Sequence, residues 1–303
     1  MWESYKKGFI SYLRLEKSVS GNTLHAYSSD IDKLIQYFSV YDPDIKFEDI
    51  TIKHLQSFIE WIAEIGVDHR SQARIISGVR SFFKYLLIED VIKTNPASLL
   101  KLPRLEKHLP VVLSVEEIDS IMGAIDMSYP EAHRNRAIIE VLYGCGLRVS
   151  ELVDLQLTSM YFREGFIKVT GKGNKERLIP LGAHAAKQLK YYIKNERVHK
   201  SVVKGFENYV FLNRRGRKLS RVMIFTIIKQ LCEKAGISKK VSPHTFRHSF
   251  ATHLVEGGAD LIVVRDLLGH ESITTTEVYT HLTREYLRDT IMMYHPRARK
   301  KDN

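Results

Sequence analysis

The stretch that most limits how this chain folds is LLKLPRLEKHLPVVL, residues 99–113. Pro103 and Pro110 each remove a backbone donor and fix φ, and the charges between them follow no helical or alternating period. No regular element runs through such a segment. It reads as a linker with a boundary near residue 106, dividing the 303 residues into 1–105 and 106–303. Both lengths suit a domain of roughly 100–200 residues with its own core.

Upstream of the linker, apolar residues recur at helical spacing. Phe9, Ile10, Tyr12, Leu13 and Leu15 define one face; Leu24, Tyr27, Ile31, Leu34, Ile35 and Phe38 define a second. ITIKHLQSFIEWIAEIG predicts a third helix stopped at Gly66, and SQARIISGVRSFFKYLLIED a fourth. Asn95-Pro96 ends that helical region. Downstream, Ser114 and Glu117 form a capping box that opens a new helix. Further helices are expected over 220–235, 245–256, 261–268 and 275–280. The exception is GFIKVTGKGNKERLIPL, residues 165–181, whose β-branched runs flank GKGNK as in a hairpin; NYVFLN at 208–213 adds a candidate short strand. The fold class is mainly α with a small β-hairpin or sheet.

Net charge narrows the class of partner. The chain carries 46 Lys+Arg against 35 Asp+Glu, a formal +11. The excess is uneven, with 14 basic and 13 acidic residues in 1–105 against 32 and 22 in 106–303. A polyanion fits that balance, and so does a merely solvated basic surface. Cys145 and Cys232 lack the CxxC spacing of a zinc site or disulfide framework and read as buried, reduced thiols. No apolar run has the length of a signal peptide or a membrane span, so a cytoplasmic protein without membrane insertion is expected.

Four places hold side chains that would suit an anion. In YGCGLRVSELVDL, residues 143–155, Arg148 follows Gly144 and Gly146 at a bend between apolar helices. Glu151 comes one turn later and can orient the guanidinium, although alone the pair is first a local ion pair. The hairpin tip GKGNKER offers Lys172 and Lys175 on a glycine-flexible turn, free to swing onto a phosphate or simply solvated. A nucleotide triphosphate site is excluded by the absence of GxxxxGK[ST] and by the hairpin setting. In HTFRHSFATH, His244 and Arg247 are three apart and converge as donors on an oxyanion. His244 and His248 have i,i+4 spacing, yet Thr245 stands where a metalloprotease needs Glu and no third zinc ligand is identifiable. His248 and His253 read as structural. In LGHESITTTEVYTH, Gly269 ends a helix and His270 sits just beyond it. Tyr279 is there either a core aromatic or a phenol nucleophile.

In order and spacing, Arg148, Lys172, His244, Arg247, His270 and Tyr279 resemble the active-site set of the tyrosine recombinases, the phage integrase family. The words GLRVSEL, GKGNKER, SPHTFRHSFATHL and LGH…TTTEVYTH look like its Xer branch, and the resemblance covers essentially the whole chain. It implies a helical core-binding (SAM-like) domain over 1–105 and an α+β catalytic domain over 106–303, clamping a DNA duplex between them. It implies that Tyr279 attacks a DNA phosphodiester, giving a 3′-phosphotyrosyl link and a 5′-hydroxyl. Arg148 and Arg247 hold the phosphate, Lys172 is the general acid, His244 helps deprotonate Tyr279 or holds the phosphate, and His270 donates to a phosphate oxygen. Guanidinium suits this because it binds phosphate oxygens bidentately and never deprotonates. Fixed cations stabilise the charge that grows in the transition state.

The resemblance implies no cofactor, metal or ATP, since the phosphotyrosyl link conserves the bond energy. The partners it implies are double-stranded DNA with a dif-like core site, a second Xer recombinase in a homo- or hetero-tetramer, and the DNA translocase FtsK. The biological task would be resolving chromosome dimers. Arg70, Arg74, Arg80, Lys84, Lys175 and Arg177 are the expected further DNA contacts.

Two other readings compete. An integrase of a mobile element would share the chemistry, but the Xer-like length and the lack of an arm-binding extension disfavour it. A non-cleaving DNA-binding protein is disfavoured by the intact set of six. In the tail LTREYLRDTIMMYHPRARK, Leu282, Tyr286, Leu287, Ile291 and Met292 form an apolar face. It would dock on its own domain or, as the resemblance implies, in a neighbouring subunit of a cyclic tetramer. In free protein Tyr279 is expected to be withdrawn from the arginines, because unregulated nicking is harmful.

Overall fold

The computed structural model describes residues 2–17, 19, 21–103, 111–171, 175–269 and 284–297. Two compact units emerge, Met1–His108 and Leu109–Asn303. The first is helical: α1 (Trp2–Leu15), α2 (Gly21–Tyr41), α3 (Ile52–Glu64) and α4 (His69–Ile88). Its core is the predicted stripes brought face to face, with Phe9 from α1, Ile31, Leu34 and Phe38 from α2, Phe58 from α3 and Phe82 from α4. The start of α4 is fixed by Asp68, whose carboxylate accepts from the amides of Arg70 (3.0 Å) and Ser71 (3.1 Å). Where α2 meets α4, the fully buried Asp30 accepts from Arg74. Gly78 makes room for that carboxylate, since a Cβ there would lie 2.8 Å from Oδ2.

The second unit opens on the expected capping box. The Ser114 amide donates to Glu117 Oε2 (2.7 Å) and the Glu117 amide to Ser114 Oγ (3.2 Å), starting α5 (Val115–Gly123). Then come α6 (Ala132–Gly144) and α7 (Val149–Val153). An antiparallel sheet follows in the order β1 (Met160–Tyr161), β2 (Phe166–Thr170), β3 (Glu176–Pro180). The remaining helices are α8 (Ala183–Asn195), α9 (Arg221–Lys234), α10 (Pro243–Glu256), α11 (Leu261–Leu268) and α12 (Arg284–Tyr294). α6 is buried along its whole C-terminal half, from Ala137 to Gly144, and runs through the core, meeting Leu189 and Tyr192 of α8 and Phe246 and Phe250 of α10. β2 and β3 pair from Phe166↔Pro180 to Thr170↔Glu176, the hairpin read from the sequence.

Three expectations come out differently or cannot be placed. NYVFLN does not form a strand: Tyr209 bridges Gln156 and Leu212 bridges Lys218, and two single bridges to different partners make no ladder. The helix expected over 275–280 lies outside the described residues. The apolar face of the tail is divided. Ile291 is buried and Leu287 half-buried against the unit's own core, while Tyr286 and Met292 are exposed; Leu282 lies outside the described residues. Cys145 and Cys232 are both buried free thiols. Among the described residues, no helix is long and apolar enough to cross a membrane.

Candidate active site

Arg148 is the residue at which α7 begins, and a turn at Gly146 places it. Gly146 adopts φ +57°, and a Cβ there would fall 2.5 Å from the Phe250 ring, so only glycine closes this turn. The Gly146 carbonyl accepts from Arg247 Nη1 at 2.7 Å. The bend that carries the first arginine therefore also holds the second. Arg247 lies on α10 and is 7% exposed. His244, exposed in the first turn of α10, lines a cavity of about 400 Å³ with Arg247, Lys240, His248 and Leu268.

Three guanidiniums meet the C-terminal end of α11. Arg177 Nε donates to the Leu267 carbonyl (3.4 Å), Arg247 Nη2 to that of Leu268, and Arg148 Nη2 to that of Gly269 (3.0 Å). A helix leaves its last carbonyls unpaired and partially negative, so cations are stabilised at that end. Gly269 caps α11 at φ +63°, and a Cβ there would lie 3.1 Å from Arg177 Cδ and Nε.

Glu151 is the opposing charge. It is 4% exposed and accepts from the Arg148 amide (2.8 Å) and Nη1 (2.9 Å) and from Arg177 Nη1 (2.7 Å) and Nη2 (3.0 Å). Burial pushes its pKa up, but the hydrogen bonds and charge of Arg177, with the bonds from Arg148, outweigh it and hold the carboxyl below the usual range. Arg247 is shifted downwards, to about 10, first by burial and then by the charge of Arg148. It stays protonated at neutral pH. Arg148 and Arg177 thus share one carboxylate, with Arg247 beside them bonded only to carbonyls among the described residues, and the surplus of positive charge on Arg148 and Arg247 suits an anion with several oxygens.

Of the six residues expected to carry the chemistry, Arg148, His244 and Arg247 lie in this region, while Lys172, His270 and Tyr279 lie outside the described residues. The expected withdrawal of Tyr279 falls outside them too. Among the expected DNA contacts, Arg70 and Lys84 are exposed on α4, and Lys175 is exposed beside the hairpin. Arg74 is committed to Asp30, and Arg80 donates to the Leu100 carbonyl. His253 is buried, its Nδ1 2.7 Å from the Tyr143 hydroxyl, and burial lowers its pKa, which is a structural role. Arg177, read from the sequence as an outer contact, has its fork turned inward on Glu151. Strand alternation is the signal that finds it: Arg177 stands opposite Val169 and two residues before Ile179, both core positions. The carbonyls at the end of α11 carry no side-chain signature at all.

Comparison with known proteins gives the family. Residues 111–285 match the model of the phage integrase family, and residues 7–90 match its N-terminal SAM-like domain. The chain is 40% identical over 300 residues to the tyrosine recombinase XerD of Chlorobaculum tepidum, covering 98% of each chain. It is 39% identical over 298 residues to the XerD of Oceanobacillus iheyensis, covering 98% of this chain and 100% of that one. Its fold is similar to the crystal structure of the XerH site-specific recombinase bound to a palindromic difH substrate, with a TM-score of 0.67 and 25% identity over 89% of this chain and 79% of that one. The chain belongs to the phage integrase family. Its activity is that of a site-specific tyrosine recombinase, cutting and rejoining DNA. Both curated relatives carry the name XerD, from the Xer branch that the sequence motifs resemble.

Proposed function

We propose that this site holds the scissile phosphate of a DNA duplex and that Tyr279 is its nucleophile. One observation carries the reading: Arg148 and Arg247, from distant segments, converge on the last carbonyls of α11 with Glu151 opposing them. The phenolate oxygen of Tyr279 attacks phosphorus, the P–O5′ bond breaks, and Lys172 gives the leaving 5′ oxygen its proton. His244 takes the phenol proton or holds the phosphate, and His270 donates to a non-bridging oxygen. Arg148 and Arg247 carry the negative charge that builds up in the transition state. Attack by a 5′-hydroxyl of another strand re-forms the diester and frees Tyr279.

The DNA is a duplex with a dif-like core site, and the task is the resolution of chromosome dimers in the cytoplasm. XerD relatives and the difH-bound XerH support that assignment. The active assembly is a homo- or hetero-tetramer with a second Xer recombinase, cyclic through exchange of α12 and activated by FtsK. The exposed Tyr286 and Met292 support a partner for α12. The helical domain over 1–105 clamps the duplex with the catalytic domain over 106–303, and Arg70, Lys84 and Lys175 contact backbone phosphates.

The test is incubation with a nicked duplex carrying a dif-like site, without magnesium or ATP, followed by a denaturing gel. A covalent adduct is expected, absent in Tyr279→Phe and reduced roughly a hundredfold or more in Arg247→Ala. Binding without adduct, even with a second recombinase and a translocase domain supplied, would leave a DNA-binding protein that does not cleave.

A further inference from the structure

We infer that Arg177 is a positioning residue for DNA cleavage rather than a DNA contact; the inference rests on the reading of Arg148 and Tyr279 given above. Both Nη atoms of Arg177 are closed on the Glu151 carboxylate, at 2.7 and 3.0 Å, and Nε donates to the Leu267 carbonyl at 3.4 Å. Its side chain is 16% exposed. Arg177 gives both Nη atoms to one internal carboxylate, whereas Arg148 gives that carboxylate one Nη and Arg247 gives it none, so the charge of Arg177 is the one already neutralised within the protein.

What it braces is specific. Glu151 holds Arg148 through both its amide and its guanidinium, so Arg177 acts on the phosphate-binding arginine through one shared carboxylate. The same side chain rests against the glycines that precede two other expected catalytic residues in sequence. A Cβ on Gly171, next to Lys172, would lie 3.4 Å from Arg177 Nη1; a Cβ on Gly269, next to His270, would lie 3.1 Å from its Cδ. One residue of β3 therefore touches the segments leading to three parts of the site. Among the described residues, the charged groups facing Glu151 are Arg148 from α7, Arg177 from β3 and, through space, Arg247 from α10. Without Arg177 the buried carboxylate keeps, among the described residues, Arg148 as its direct partner. Its pKa then rises, and Arg148 is no longer held between two opposed partners.

The experiment is single-turnover adduct formation on the nicked duplex at saturating protein, from about pH 5 to 9, with duplex binding and melting curves measured alongside. Arg177→Gln is expected to bind the duplex as the unaltered protein does, and to form adduct roughly tenfold to a hundredfold more slowly, the cost of misplacing reacting groups. Its rate should also gain an acid limb displaced towards neutral pH. Adding Glu151→Gln to that variant should remove the limb, because the titrating carboxyl is gone. A parallel loss of binding and cleavage, with a weaker salt dependence of binding, would make Arg177 a phosphate contact and overturn the inference. Cleavage at the unaltered rate and pH profile would overturn it as well. Should Arg177→Gln fail to fold, Arg177→Lys is read instead: it keeps the charge without the fork, and slow cleavage at saturating DNA supports the inference while normal cleavage ends it. An unaltered protein that forms no adduct would count against the proposed function and not against Arg177.

Discussion

Arg247 Nη1 donates to the carbonyl of Gly146 at 2.7 Å, which ties the arginine of α10 to the turn that presents Arg148. The geometry of one arginine is thereby set by the backbone that carries the other. Gly146→Ala places a Cβ against Phe250 in a left-handed conformation. Backbone strain costs about 1–3 kcal/mol, before any movement of the ring. A fall in melting temperature of roughly 2–4 °C per kcal/mol is expected, together with slower adduct formation. A variant that melts and cleaves normally would show that the turn tolerates a side chain.

His295 is wedged between Tyr143 and Phe250, with ring centroids at 4.7 and 5.2 Å, and is 1% exposed. Burial chiefly, with the nearby His253 and Arg297, brings its pKa down to about 3. The folded value lies below the unfolded one. Its contribution to stability is therefore present above about pH 6.5 and is lost as pH falls towards 3. One proton contributes a slope of up to about 1.4 kcal/mol per pH unit. Unfolding measured across that window should give a shallower acid slope in His295→Phe; an unchanged slope would assign the acid sensitivity to other groups.

Asp30 has its pKa raised by burial, with Arg74 working against the rise. Arg74→Ala leaves that carboxylate without its partner. Because Arg74 is itself partly exposed, the loss is expected at about 1–3 kcal/mol rather than that of a fully buried pair. The folded pKa exceeds the unfolded one, so the stability Asp30 contributes is present at low pH and lost as pH rises through the folded value. The penalty in Arg74→Ala should accordingly be larger at neutral than at acid pH, and Asp30→Asn in the same background should recover most of it. Denaturant unfolding at two pH values checks both. A variant that unfolds normally yet binds DNA weakly would make Arg74 a DNA contact first.

Burial pushes the thiol pKa of Cys145 up to about 12 and that of Cys232 up to about 11. At pH 8 roughly one molecule in ten thousand and one in a thousand carries the respective thiolate, the reactive form. Alkylation of native protein is expected to leave both sites unmodified over hours, with rapid labelling in denaturant. Mass spectrometry of tryptic peptides separates the two cysteines. Rapid native labelling at either one would mean that its surroundings open readily.

Much of the fold was legible because its signals are local. The stripe of Ile31, Leu34 and Phe38, the capping box of Ser114 and Glu117, and the β-branched runs around GKGNK each act within a few residues, and each became the expected element. NYVFLN shows the limit of that reasoning. Its apolar residues need an edge to pair with, and the chain gives Tyr209 and Leu212 different partners.

The sequence by itself determined where several helices start and stop, and which arginines, histidines and tyrosine sit in recognisable order. The tertiary structure decided which groups those side chains face. Arg177 meets Glu151 across 26 residues of chain, Leu267 across 90, and Arg148 meets Gly269 across 121. It also decided that Ile291 is buried while Met292, one residue on, stays exposed. Periodicity and capping repeat along the chain and can be read from it. The partner of a guanidinium or a methyl group is fixed only when distant segments pack, because a charge leaves water only where folding supplies its counter-charge.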